Sequence, residues 1–202
     1  GVQNSAYGYR SLAANTTGAN NVAVGNDTLD ANTTANFNTA VGKAALTTNT
    51  TGAQNTAIGG EALTKNTTAS NNVAIGIAAS ACNTEGHSNT AVGTQASQTN
   101  TTGDYHTAIG MCALFANTTA NDNTAVGYIA LKTNTTGGVN AAFGGYALQD
   151  NTTGSNNTAV GISSLENNTT ASSNVAVGFR SLYKNTTGAT NVAVGREALL
   201  CN

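Results

Sequence analysis

Twelve glycines recur at an unbroken spacing of 17 residues along the chain. They are Gly8, Gly25, Gly42, Gly59, Gly76, Gly93, Gly110, Gly127, Gly144, Gly161, Gly178 and Gly195. Most units read Asn-(Thr/Val)-Ala-(Val/Ile)-Gly, with an Asn-Thr corner beginning seven residues after the glycine. A short fixed period indicates stacked repeats rather than a globular domain. The sequence therefore predicts an all-β fold, a parallel β-solenoid or β-roll of twelve 17-residue rungs, as one repeat array over residues 1–202.

Positions within a unit are numbered here from its glycine, which is position 0. Position −2 is alanine in all twelve units, and position −1 is Val or Ile in ten, with Tyr7 and Phe143 as the exceptions. This β-branched stretch predicts a strand in each unit, the motif strand. Position +4 is Leu in ten units, which predicts a second short strand there.

Charge is scarce and lies away from the motif strand. The chain has seven Lys and Arg against nine Asp and Glu, so it lacks the basic footprint of a nucleic-acid or anionic-membrane binder. No apolar run is long enough to span a bilayer. Apart from His106 at position −4, neither face of the motif strand carries a charged residue. Because such strands usually have both faces covered, the chain's interior should cover one face and further protein the other.

Asparagine occupies position +7 of every unit and forms what we call the corner Asn column. Asn suits a tight corner, and identical side chains stacked about 4.8 Å apart can hydrogen-bond as a ladder. Ten of these twelve residues are formal N-glycosylation acceptors, so a structural ladder and a glycan-bearing column both remain open. The ten acceptors followed by Thr-Thr are Asn15, Asn32, Asn49, Asn66, Asn100, Asn117, Asn134, Asn151, Asn168 and Asn185.

The segments Asn21–Gly25, Asn55–Gly59 and Asn72–Gly76 resemble the head repeats of trimeric autotransporter adhesins, and similar repeats occur in fibre proteins. That family folds as a left-handed parallel β-roll, with three chains to a head. The resemblance covers about a third of each unit, and this chain departs from it in its 17-residue period and its Asn-Thr-Thr corner. It implies an interchain role for the apolar column of Val24, Val41, Ile58, Ile75, Val92, Ile109, Val126, Val160, Val177 and Val194.

Rungs five to seven are irregular, because Ser80 and Ser97 replace Leu, and His87 and His106 also interrupt the pattern. No nucleophile–base–orienter set, phosphate-binding loop or calcium-binding motif is present, so the sequence predicts no enzyme activity, no cofactor and no metal site. The three cysteines, Cys82, Cys112 and Cys201, are odd in number. The first two lie two rungs apart at different positions, so we expect unpaired thiols there, whereas Cys201 could pair between chains.

These observations predict a structural component of an extracellular or cell-surface fibre or filament. The alternative is a binding module, either an adhesin head or an ice-binding face built on Thr columns. The expected partners are copies of the chain itself, with glycans as a further candidate. We expect a lateral contact through the Val/Ile or Leu columns and an axial contact between the Asn202 end and the Gly1 end.

Overall fold

The computed structural model describes residues 1–201 as a single parallel β-solenoid. Every motif strand forms as expected, and each is three residues long. The strands are β1 (Ser5–Tyr7), β2 (Val22–Val24), β3 (Thr39–Val41), β4 (Thr56–Ile58), β5 (Val73–Ile75), β6 (Thr90–Val92), β7 (Thr107–Ile109), β8 (Thr124–Val126), β9 (Ala141–Phe143), β10 (Thr158–Val160), β11 (Val175–Val177) and β12 (Val192–Val194). No helix occurs among these residues.

The twelve strands form one sheet in sequential order, and every neighbouring pair is parallel. Ala23 pairs with Ala40, so equivalent residues 17 apart are stacked on adjacent rungs. The fixed period therefore sets the register. The predicted fold class is confirmed, as is the stacking of the motif alanines.

The interior is thin and filled by small side chains and leucine. Alanines at positions −2 and +3 and leucines at +4 form one continuous buried cluster along the array. Leu46 and Leu131, for example, are fully buried. The same leucines were expected to offer a lateral contact to another chain. That expectation is wrong, because the leucines of this column from Leu29 to Leu182 are fully buried inside the solenoid.

The expected second strand at positions +3 and +4 is also wrong. Leu46 has a φ of 51° and Ala44 a φ of 57°, so the backbone alternates through the left-handed region instead of extending. The turn still bonds between rungs: the N–H of Leu46 donates to the carbonyl of Ala62 at 3.0 Å, and that of Ala44 donates to the carbonyl of Asn26 at 2.9 Å. These inter-rung bonds hold non-glycine residues in a conformation that they rarely adopt.

The glycine at position 0 is required by both its conformation and its surroundings. Gly59 has a φ of 132°, and a Cβ added there would lie 2.5 Å from the carbonyl oxygen of Gly76 on the next rung. The chain turns out of each strand at this point, with the neighbouring backbone too close for a side chain. This close approach explains why no unit replaces the glycine.

Candidate functional site: the outer strand face and the polar columns

The outer face of the sheet is a continuous uncharged surface, which we call the outer strand face. It consists of positions −3 and −1 of the twelve strands, none of which contains Lys, Arg, Asp or Glu. Val24 is 38% exposed and Ile58 39% exposed, whereas the intervening alanines are buried. All ten members of the apolar column lie on this face, and all are partly or largely exposed. Within the single chain, only the inner face of the sheet is covered.

The corner Asn column is an enclosed hydrogen-bonded ladder. Asn66 donates its Nδ2 to Oδ1 of Asn49 at 2.9 Å and to the carbonyl of Ala69 at 3.0 Å, while its own Oδ1 accepts from Asn83 at 3.1 Å. The bonds between neighbours continue from Asn15 to Asn185, and the side chains from Asn32 onwards are buried. Because both amide hydrogens of Asn66 are donated, a glycan on Nδ2 would replace one of these bonds and would need space that the interior lacks. Asn202 lies outside the described residues.

A second buried ladder, the motif Asn column, runs along position −4. Asn38 accepts the N–H of Asn55 on its Oδ1 at 2.9 Å and donates its Nδ2 to the carbonyl of Gly52 at 2.9 Å. Asn49 of the corner column donates to the same carbonyl, also at 2.9 Å. The position +10 carbonyl is therefore where the two columns meet. Repetition in the sequence directly indicated the asparagines of these two columns as regular structural positions.

The paired threonines at the corner have different environments. The hydroxyl of Thr50, the first of its pair, donates to the carbonyl of Thr67 at 3.1 Å on the next rung, and the side chain is half-buried. Thr51, the second, is exposed. The second threonines form an exposed Thr column, and their hydroxyls make no hydrogen bond within residues 1–201. They are Thr17, Thr34, Thr51, Thr68, Thr102, Thr119, Thr136, Thr153, Thr170 and Thr187.

The irregular rungs do not assemble a reactive centre in the described part of the chain. Ser80 and Ser97 are buried in the Leu column, and Oγ of Ser97 has no hydrogen-bond partner. His87 is exposed and accepts the N–H of Ser70 on its Nδ1 at 2.9 Å. Across residues 1–201, no three potential metal ligands cluster, and no pocket is present.

The three cysteines are free thiols in different surroundings. Cys82 is half-buried and Cys201 is exposed. Cys112 is buried, with its Sγ 3.6 Å from Oε1 of Gln95 on the preceding rung. The structure thus forms no disulfide within the chain, and the pairing of Cys201 between chains stays a prediction.

His106 is the one titratable side chain in the motif Asn column. The ring Nδ1 accepts the backbone N–H of Asn123 at 3.2 Å, and the backbone N–H of His106 donates to Oδ1 of Asn89 at 2.9 Å. Burial lowers the pKa of His106 to about 4, against the opposing effects of the Ala120 carbonyl and of Asp104. The imidazole is therefore neutral at physiological pH. The sequence showed that His106 replaces an asparagine, but it did not show that the imidazole would bond within the column.

The fold and these columns define the class of this chain: it is a tandem-repeat β-solenoid with two internal asparagine ladders. No protein-family model, curated protein or solved structure matches the chain. A search of the described residues for a helix long and apolar enough to cross a membrane found none.

Proposed function

We propose that this chain is a structural component of an extracellular or cell-surface fibre or filament. The observation that carries the proposal is the outer strand face, which stays uncharged across all twelve strands while it remains partly exposed in the single chain. A soluble monomer has no evident use for a long charge-free face, whereas a multi-chain fibre buries one. The role is mechanical rather than catalytic.

The internal ladders supply the mechanical properties that such a role needs. Backbone bonds join each rung to the next, as from Thr56 to Asn72 at 2.8 Å, and the asparagine columns add parallel side-chain bonds. Bending or unwinding the rod would break several of these bonds at once. Buried amides that lose their partners carry a high cost, so the array resists local opening and cleavage by proteases.

The partners in this proposal are further copies of the chain, which pack laterally through the apolar column. Burying apolar surface contributes roughly 25 cal/mol per Å², and the contact repeats at every rung. A small gain at each rung therefore adds up over the array. The resemblance to trimeric adhesin heads supports the same face, because the Val and Ile of that motif face the partner chains. The axial contact between chain ends stays a prediction.

Sedimentation velocity of charge variants tests the lateral contact. Ile58→Lys combined with Ile75→Lys places two cations on the outer strand face, and we expect it to shift the chain from assemblies to monomers. The matched control is Thr51→Lys combined with Thr68→Lys, which adds the same charge to the exposed Thr column on adjacent rungs. Equal dissociation by both pairs would mean that charge alone acts. Assembly unaffected by the Ile58 and Ile75 pair would contradict the proposal.

If the fibre carries sugar, we propose that the exposed Thr column holds it rather than the corner Asn column. Position +9, which the exposed Thr column occupies, is Thr in ten of eleven units, although Glu85 shows that another residue is tolerated there. The exposed position −5, by contrast, holds residues as different as Phe37, Tyr105 and Val139. Mass spectrometry of native material should then find O-linked glycopeptides. N-linked glycans on the Asn-Thr-Thr sites would contradict this assignment.

A binding module is the second candidate, and the exposure of the outer strand face favours it. An adhesin head would use that face, or an edge of it, for a ligand while remaining a discrete particle. An ice-binding role on the paired threonines has less support, because the first hydroxyl of each pair is already bonded, as Thr50 is to Thr67. A stable monomer in the sedimentation experiment would favour the binding module.

A further inference from the structure

His106 stands where the other eleven units place asparagine, and its imidazole reproduces the acceptor contact of the asparagine side chain. Elsewhere in the column, Oδ1 of an asparagine accepts the backbone N–H of the next column member, as Oδ1 of Asn89 does from His106. At His106, this acceptor is Nδ1, which receives the N–H of Asn123. Because the backbone N–H of Asn123 points at Nδ1, we assign the proton of the neutral ring to Nε2, which already places one ring N–H beside the Nδ2 donor of Asn117.

The Nε2 side of the ring takes the place of the asparagine Nδ2. Asn89 donates its Nδ2 to the carbonyl of Gly103 at 2.9 Å, and the equivalent carbonyl beside His106 is that of Ala120, which favours the charged form of the ring. Asn117 of the corner column also donates to Ala120, at 3.3 Å, and its Nδ2 lies 3.0 Å from Nε2 of His106. The ring thus sits where the two asparagine columns meet.

Protonation of His106 would place a second ring N–H against a neighbouring N–H donor. The imidazolium carries a proton on Nδ1, directly opposite the backbone N–H of Asn123, so this hydrogen bond is lost. The side chains around the ring, those of Asn89, Asn117 and Asn123, are uncharged. Asp104 and Asp122 are the two carboxylates that act on the ring, and both favour its charged form.

The neighbouring rungs also lack the leucine that fills the core elsewhere. Ser80 and Ser97 leave two successive rungs without leucine, and Oγ of Ser97 is buried without a partner. Everywhere else from Leu29 to Leu182, the Leu column is unbroken. Local opening should therefore start more easily here than at other internal rungs.

We propose that the rungs around His106 form an acid-sensitive break point, at which protonation of the ring interrupts the motif Asn column between Asn89 and Asn123 while the other rungs stay closed. This device goes beyond the fibre role and does not depend on it. An array with one such rung can be opened at a defined place by acidification.

The direction of the pH effect follows from the lowered pKa. In an opened rung, His106 titrates near its ordinary value of 6.5, and in the closed rung its pKa is about 4. The stabilisation that the neutral ring gives to the closed rung is therefore fully present above pH 6.5, and it is lost as the pH falls toward 4. Because the ring has these two different pKa values, the equilibrium constant for opening the rung rises about 20-fold from pH 7 to pH 5.

Hydrogen–deuterium exchange with the intact chain tests the proposal, with rates corrected for intrinsic exchange at each pH. We expect the amides of residues 104–123 to show the increase in opening, while those of residues 38–57 do not. His106→Asn restores the column and should abolish the pH dependence. His87→Asn is the matched control, because it removes the exposed histidine from a position where Asn36 and Asn121 occur in other units; this variant should keep the dependence. The same increase in His106→Asn, or none in the wild-type chain, would overturn the proposal.

Discussion

Asn66 donates its side-chain amide to Oδ1 of Asn49, 2.9 Å away and one rung back along the solenoid. The same bond repeats between successive members of the corner Asn column, so each asparagine is both donor and acceptor inside the core. Side-chain polar groups thereby bond along the axis in parallel with the backbone. A residue type that usually marks a solvent-exposed turn becomes part of the interior.

Removing one member of the ladder should be costly. Asn66→Ala deletes the bonds to Asn49 and Ala69 and removes one of the two acceptors of the Asn83 amide. We expect the free energy of unfolding to fall by about 2–4 kcal/mol, because the orphaned groups stay buried. Urea denaturation measures the change. Asn26→Ala is the control, since Asn26 is exposed, and it should be nearly neutral; equal losses in the two variants would contradict the ladder account.

Two adjacent glycines should respond differently to the same substitution. Gly59→Ala forces a Cβ to within 2.5 Å of the Gly76 carbonyl oxygen at a φ of 132°, whereas the nearest atom to a Cβ at Gly60 is 4.0 Å away. We expect Gly59→Ala to destabilise the array by about 2 kcal/mol or more, from strain and displaced backbone. Gly60→Ala should be neutral or slightly stabilising. Thermal unfolding of the two variants provides the comparison, and a tolerated Gly59→Ala would refute the close approach.

Filling the gap in the Leu column should stabilise the chain. Ser97→Leu removes a buried hydroxyl that has no partner and extends the leucine stack that continues at Leu114. We expect a gain of about 1–3 kcal/mol in the free energy of unfolding. The reciprocal change, Leu131→Ser, should lose a similar amount. A loss of stability in Ser97→Leu would show that the rungs have closed over the smaller side chain.

The paired threonines allow a comparison within one corner. Thr50→Val removes a hydroxyl that donates to the Thr67 carbonyl, and we expect it to cost about 1 kcal/mol. Thr51→Val removes a hydroxyl with no bond inside the chain, so its free energy of unfolding should hardly change. Chemical denaturation of both variants checks this difference. A larger effect at Thr51 would mean that the exposed Thr column has a role in holding the fold.

The strand positions, their register and the buried alanines could be predicted from the sequence, because exact repetition leaves only one way to stack them. Ala23 over Ala40 is a direct consequence of the 17-residue period. The turn at positions +2 to +4 could not. Leu46 adopts a left-handed conformation that leucine disfavours by itself, and its bond to Ala62 on the next rung helps to stabilise it. Inter-rung bonding here overrides local propensity.

The environments of individual polar residues were likewise beyond the sequence. Repetition marked Asn66 as important but could not separate an internal ladder from a glycosylated surface. His106 stood out as an irregularity, yet its fit to the column depends on the placement of its two ring nitrogens beside Asn123 and Asn117. Such three-dimensional fits become visible only when neighbouring rungs are seen together.

Electron cryomicroscopy of the assembled chain tests the fibre proposal most directly. The account predicts filaments with a repeat of about 4.8 Å along the axis and a cross-section in which another copy covers the outer strand face of each solenoid, with Ile58 and Ile75 in the contact. Discrete single solenoids, or filaments in which that face stays open to water, would contradict it.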